Sequence, residues 1–290
     1  MLDHVCEYRN REFAGIGQVL AAYLASIASQ ERPDAAFLAI AAPIRNDEVR
    51  MTNIRWNFQA SGLARELALR QVVLLNDFAA QAHALPRLSA SDLVAVGGGS
   101  AREEDPRVIL GPGTGLGTAG LVYAGGQWHA IPGEGGHVTM APVNEREERI
   151  VALVRARHGH CSAERLLSGP GLAFIHAALT GGTELAPEEV GARIMAGEAT
   201  ALEALDIFFD CLGTVAGNLA LTFGAFGGVY IGGGIVPRYV GRFLESGFRR
   251  RFEAKGRYQP LMADIPTWLI TAKNPALVGL ASLAGATAES

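Results

Sequence analysis

A chain of 290 residues and 30.6 kDa is more than one hydrophobic core usually holds, so two lobes are expected. With 49% hydrophobic and 19% charged residues and a formal net charge of -4, it is neither an acidic disordered tail nor the carrier of a global basic field, which argues against a nucleic-acid partner. More than half of the 36 glycines fall in 97–136 and 213–234, where the backbone is expected to approach a ligand closely.

The first residues, with Asp3, His4 and Glu7 among them, lack the basic and apolar regions of a secretory signal, and the longest apolar run, 35–44, is far short of a membrane span. Cys6, Cys161 and Cys211 are too scattered for a disulfide framework or a paired metal site. A cytoplasmic protein with no membrane partner is expected. Neither lysine, Lys255 or Lys273, sits in a Gly-Lys-Ser/Thr context, which excludes a Walker loop.

In chain order, Val5 to Tyr8 reads as a short strand, followed by an amphipathic helix over about 14–29 that stops before Pro33. Phe37 to Ala42 and Gln71 to Leu75 read as strands buried on both faces, with the segment Met51-Thr-Asn and a helix near 60–70 between them. This alternation predicts an α/β lobe. Past Pro86, Val108 to Leu110 predicts a strand, and Leu121 to Ala130 a hairpin turning at Gly125-Gly126. Helices are expected from Asn144 to about Arg157, near Ala163, from Leu172, and from about Thr200, where Leu202, Leu205, Phe209, Leu212, Ala216, Leu219 and Phe223 form one stripe. Val229 to Ile231 returns to strand, a helix follows Pro237, and a small-residue helix starts near Pro275. The expected division is a small lobe, 1–87 joined by 275–290, and a large lobe, 88–274.

Five segments could carry chemistry. Asn76 and Asp77 stand where a strand ends and a helix begins, the place where α/β sheets bind ligands. The carboxylate there is either a helix N-cap or a general base. Gly111-Pro-Gly-Thr-Gly-Leu-Gly can wrap an anion in successive amides, and the Gly115 to Gly120 stretch matches the dinucleotide pattern GxGxxG, which demands a helix that the strand-like Leu121-Val-Tyr opposes. Glu134 and His137 could grip sugar hydroxyls, or make half of a metal site. Glu164, two residues after Ser162, reads by itself as a first-turn helix acid. Gly232, Gly233 and Gly234 either accept a flat ring against bare backbone or make a tight turn.

Taken together, Asn76-Asp-Phe, Gly111-Pro-Gly-Thr-Gly-Leu-Gly, Pro132-Gly-Glu-Gly-Gly-His, Ser162-Ala-Glu-Arg-Leu-Leu-Ser-Gly-Pro-Gly and Gly227-Gly-Val-Tyr-Ile-Gly-Gly-Gly-Ile-Val-Pro-Arg closely resemble the bacterial glucokinases of the hexokinase and actin-like ATPase superfamily. The likeness runs from about Ala39 to the end, and the absence of a cysteine-rich zinc motif separates the chain from the related repressor and sugar-kinase branch. The resemblance implies a two-lobed α/β fold of the actin-like ATPase (ribonuclease H-like) type and ATP-dependent phosphorylation of glucose to glucose 6-phosphate. It implies Asp77 as the base, Asn76, Glu134, His137 and Glu164 as sugar ligands, and Gly113, Thr114 and Gly115 as a phosphate loop. Gly232, Gly233 and Gly234 would lie against adenosine, Mg²⁺ would be held mainly through the ATP phosphates with no resident metal, and the protein would be a homodimer.

The family also opens on a strand bearing Asp-x-Gly-Gly-Thr, a first phosphate loop, and no such motif occurs in this sequence. The first strand here reads as the family's third, so a segment on the order of 20 residues is expected upstream, the small lobe is expected to be truncated, and Phe37 to Ala42 should lack a sheet neighbour. Little ATP-dependent turnover is expected until that loop is restored. Two other classes remain beside the kinase: a sugar-binding relic without turnover, and a dinucleotide oxidoreductase built on Gly115 to Gly120.

Overall fold

The computed structural model of the chain describes residues 3–27, 32–42, 44–51 and 54–288. They divide into two compact units, Met1–Arg87 with Lys273–Ser290, and Leu88–Ala272.

In the first unit, helix α1 is Ile16–Ser26, and the last residues of the helix expected to reach 29 lie outside the described residues. Thr52 and Asn53, singled out beside Met51, also lie outside them. Val5 to Tyr8 form no strand. That segment finds no neighbouring strand, stays largely exposed, and runs into a 3₁₀ turn at Asn10–Glu12, with the Tyr8 ring edge-on to Phe13. Strand β1, Ala35–Ile40, pairs in parallel with a later strand, and a short antiparallel meander intervenes: β2 Ile44–Arg45, β3 Glu48–Arg50 and β4 Asn57–Gln59. Helix α2, Ala60–Glu66, then leads to β5, Gln71–Asn76, which lies beside β1 with Ala35 opposite Gln71 and Ile40 opposite Asn76. Helix α3, Asp77–Ala84, follows without a loop.

The C-terminal helix, Pro275–Ala288, packs on α3 and β1. Burial on both faces was expected of β1 and β5, yet most of their residues are only half-buried. Among the described residues they make a sheet of two strands, so each has one hydrogen-bonded neighbour.

The second unit is built on a six-stranded sheet. Its strands are β6 Leu93–Gly97, β7 Arg107–Pro112, β8 Leu116–Ala124, β9 Gln127–Gly133, β10 Val229–Ile231 and β11 Thr267–Ile270, in spatial order β6-β11-β10-β7-β8-β9. Strand β10 is parallel to both neighbours, and the other pairs are antiparallel. The β8–β9 hairpin turns at Gly125 and Gly126, both left-handed, as a two-residue turn requires. Because Gly115 to Gly120 run largely into β8 and no helix follows, the dinucleotide pattern has no helix N-terminus to offer a pyrophosphate, which removes the oxidoreductase reading.

Seven helices complete this unit: α4 Glu145–His158, α5 Gly169–Thr180, α6 Pro187–Met195, α7 Ala199–Phe223, α8 Val240–Glu245, α9 Phe248–Glu253 and α10 Gln259–Asp264. Among the described residues α7 alone is long and apolar enough to cross a membrane, but 78% of its most apolar window is buried, packed on α5, α6, α9 and β7 as a core helix.

One ion pair lies inside this core. Asn144 caps α4 by accepting the Glu147 amide at 2.9 Å, and the Glu147 carboxylate accepts from the Val143 amide and from Asn144 Nδ2. Both carboxylate oxygens also take the Arg251 guanidinium, at 2.6 and 3.1 Å, and Arg251 donates further to Thr214 Oγ1. Glu147 and Arg251 are 2% and 7% exposed, so this fully hydrogen-bonded arrangement is what makes two buried charges tolerable.

Candidate active site

In the first unit the capping role falls to Asn76, not to Asp77. Asn76 Oδ1 accepts the amides of Phe78 at 3.0 Å and Ala79 at 3.2 Å, which fixes the side chain at the carboxyl end of β5. Asp77 is the first residue of α3, and its Oδ1 accepts the Phe78 amide at 2.9 Å. The choice between cap and base is thereby sharpened, since a different residue already does the capping.

In the second unit three of the expected sugar ligands come together. His137 lies between two carboxylates, with Nε2 3.9 Å from Glu134 Oε2 and Nδ1 4.0 Å from Glu164 Oε1. Glu134, just before the 3₁₀ turn Gly135–His137 that follows the β8–β9 hairpin, and His137, at its end, are both exposed. Thr118 holds that turn: its buried hydroxyl donates to the Gly133 carbonyl and accepts the Gly135 amide at 3.0 Å. This residue was not singled out from the sequence, although a threonine amid a glycine-rich buried strand was the available signal.

Glu164 is not an ordinary helix acid. The 3₁₀ turn that carries it, Ala163–Arg165, spans three residues, too short for an appreciable dipole, and Ser162 makes no side-chain cap. Instead Glu164 Oε2 accepts the Leu116 amide at 2.9 Å, across 48 residues of chain.

The loop between β7 and β8 is a tight turn in which the Gly113 amide donates to the Gly115 carbonyl at 2.8 Å. The Gly113 carbonyl accepts the Gly169 amide at the start of α5, also at 2.8 Å. Thr114 is exposed, and neither its amide nor that of Gly115 takes a backbone partner in the turn, so two adjacent N–H groups and one hydroxyl are available to an anion. An open cavity of about 480 Å³ beside α4 belongs to other residues, Asn144 to Glu147 and Asp210 among them, whereas Thr114 and Glu164 line a separate one of about 350 Å³.

At the end of β10 the three glycines divide their work. Gly232 is buried and its amide donates to Leu110 at 2.8 Å. Gly233 has φ +80°, and a Cβ there would overlap the Pro112 carbonyl, so its bareness lets the two glycine loops touch each other. Gly234 has nothing within 4 Å of a Cβ position and is exposed, so it has the open face that could lie against a ring.

A family model described as Glucokinase matches residues 1–287. A glucokinase of Chromobacterium violaceum is 50% identical over 288 residues, covering 97% of this chain and 82% of its own length. The crystal structure of a glucokinase from an Antarctic psychrotroph superposes with a TM-score of 0.87 at 34% identity, covering 95% of this chain and 87% of that one. A ROK hexokinase from Thermus thermophilus, 20% identical over 96% of this chain and 89% of its own, shares the fold with a TM-score of 0.64. The mixed α/β architecture is thus that of the actin-like sugar kinases. Matched along almost its whole length, the chain belongs to the glucokinase family of enzymes.

Proposed function

We propose that this protein transfers the γ-phosphoryl group of ATP to the 6-hydroxyl of glucose, giving glucose 6-phosphate and ADP. The observation that carries the reading is the gathering of Glu134, His137 and Glu164 next to a turn whose Thr114 and Gly115 amides take no backbone partner. Carboxylates accept from sugar hydroxyls, an imidazole both donates and accepts, and paired amides neutralise phosphate charge. Asn76 fits the same chemistry as a donor: with Oδ1 held by two backbone amides, its Nδ2 is set in direction for a hydroxyl.

Asp77 is the general base. Its carboxylate takes the 6-hydroxyl proton as that oxygen bonds to the γ-phosphorus, and the bond from the γ-phosphorus to the ADP oxygen breaks. Because the transition state is loose, positioning and charge neutralisation by Thr114 and Gly115 do most of the work, with adenosine lying along 232–234. Among the described residues no group of three or more His, Cys, Asp or Glu could hold a metal ion. Mg²⁺ would come on the ATP phosphates and carries no step above. A homodimer in the cytoplasm is proposed on the family resemblance alone.

The alternative is a glucose-binding protein without turnover. Calorimetry with glucose and a coupled assay for ADP separate the two. Glucose-dependent ADP release supports the kinase, and glucose binding with none supports the relic. In the kinase, Asp77→Asn lowers kcat by about 10²- to 10⁴-fold and leaves glucose affinity nearly unchanged. An unchanged kcat would remove Asp77 from the chemistry.

A further inference from the structure

The acid proposed to hold sugar and the turn proposed to hold phosphate share one hydrogen-bonded frame inside the second unit. Glu164 Oε2 takes the Leu116 amide, which is the first residue after the turn, and Oε1 faces His137. The approach is close: a Cβ on Gly115 would overlap Oε2 of Glu164. The other side of the turn is tied to α5, whose first amides are all spent. Gly169 donates to Gly113, Pro170 has no N–H, and Gly171 donates to Ser168 Oγ at 3.2 Å. The start of α5 is thus an anchor for the turn and has no amide left for an anion. Leu116 opens β8 opposite Pro112 of β7, but its amide is held by a carboxylate that is still 31% exposed and whose second oxygen, among the described residues, has no closer partner than an imidazole 4.0 Å away.

We propose that Glu164 couples the two ligand sites, so that glucose on Oε1 immobilises the carboxylate, and Oε2 then fixes the Leu116 amide and the direction of the Thr114 and Gly115 amides. This rests on the reading of Glu164 as a sugar ligand. A glutamate loses rotamer freedom when either oxygen is engaged, so the ligand that engages the first oxygen lowers the ordering cost at the second. Linkage makes the effect reciprocal: sugar tightens phosphate binding by the factor by which phosphate tightens sugar binding. Leu116 is a positioning residue, acting through its amide. The arrangement also disfavours wasteful hydrolysis, because the turn is fully organised for ATP only when the sugar that should receive the phosphoryl group is already bound.

The test is amide hydrogen exchange across 113–118 in the full 290-residue protein, with glucose titrated to saturation by calorimetry on the same sample. Saturating glucose is expected to slow exchange at Leu116 by roughly fivefold or more. In Gly115→Ala, where the new methyl displaces the carboxylate, glucose is expected to bind more weakly and, once saturating, to leave Leu116 exchange unchanged. Glu164→Gln is the second variant, chosen because it preserves shape: the weaker neutral acceptor should reduce the glucose-dependent slowing while the fold, read by circular dichroism, is kept. Slowing of the wild-type size in either variant overturns the coupling. So does a wild-type Leu116 that exchanges at the same rate with and without saturating glucose, an outcome that leaves the sugar site itself intact. Failure of the wild type to bind glucose overturns both.

Discussion

In the first unit Asn76, at the end of β5, is held by backbone amides two and three residues away, whereas in the second unit Glu164 and Glu147 reach partners 48 and 104 residues distant. Asn76 is oriented by the strand-to-helix junction itself, so its geometry follows wherever that junction forms. The Glu164 bond to Leu116 forms only after distant parts of the chain have packed, and Glu147, already held locally by Val143 and Asn144, meets Arg251 only then. The contrast separates a locally determined part of the chemistry from one that depends on the whole second unit being folded.

The sharpest way to break this contrast is Glu147→Ala. It leaves the buried Arg251 with only the more distant Asp210 carboxylate, 3.9 Å away, and should cost about 3–5 kcal/mol of stability, read as a lowered urea midpoint of the second unit. A cost below about 1 kcal/mol would show that the long-range pair adds no more than a local one. Asn76→Ala removes the cap of α3 and should cost about 1 kcal/mol, confined to the first unit and seen as faster amide exchange in 77–80.

Asp210→Asn should have the smallest effect, and of opposite sign. Burial pushes the Asp210 carboxyl above its usual range of about 3.8, against the pull of Arg251 and Arg250. With the folded pKa raised, the folded state holds its proton more firmly, so this group stabilises most below pH 3.8 and loses that contribution as pH rises through the folded pKa. At neutral pH the neutral amide should therefore gain about a few tenths of a kcal/mol, a gain that vanishes in acid. A thermal-melt series from pH 3 to 8 reads it, and a loss of stability at neutral pH would mean that the Arg250 and Arg251 contacts outweigh burial.

What could be read in advance follows the same local and distant division. Strand β5, the start of α3, α4 and the Gly125-Gly126 hairpin are marked by neighbouring residues, and each is close to where periodicity and turn chemistry put it. The short strands β2, β3 and β4 show no such signal, being two or three residues long. Strands β6 and β11 went unrecognised because they find each other across the sequence, Gly97 opposite Thr267. The beginning of β8 was hidden by its glycines, which give no alternating pattern. Gly120 is bare because the Phe223 ring fills the space a side chain would take, a fact of packing that no local motif announces. At the candidate site the residue types were legible, but not the bond from Leu116 to Glu164 or the anchoring of Gly113 by Gly169. In both the donor is a backbone amide, and a backbone amide carries no identity in a sequence.

The long helix α7 has a consequence for how the chain is made. During synthesis, β7, α5 and α6 emerge before it, but α9, which covers another of its sides, is encoded after it. For the time it takes to translate the next thirty or so residues, a 25-residue segment whose most apolar stretch has mean hydropathy 1.4 is finished while part of its cover does not yet exist. The nascent chain is then most exposed to aggregation and to capture by chaperones or by the machinery that recognises membrane segments. Slowing translation just after Phe223 should lengthen that window and lower the yield of folded protein, with no change in the sequence of the product.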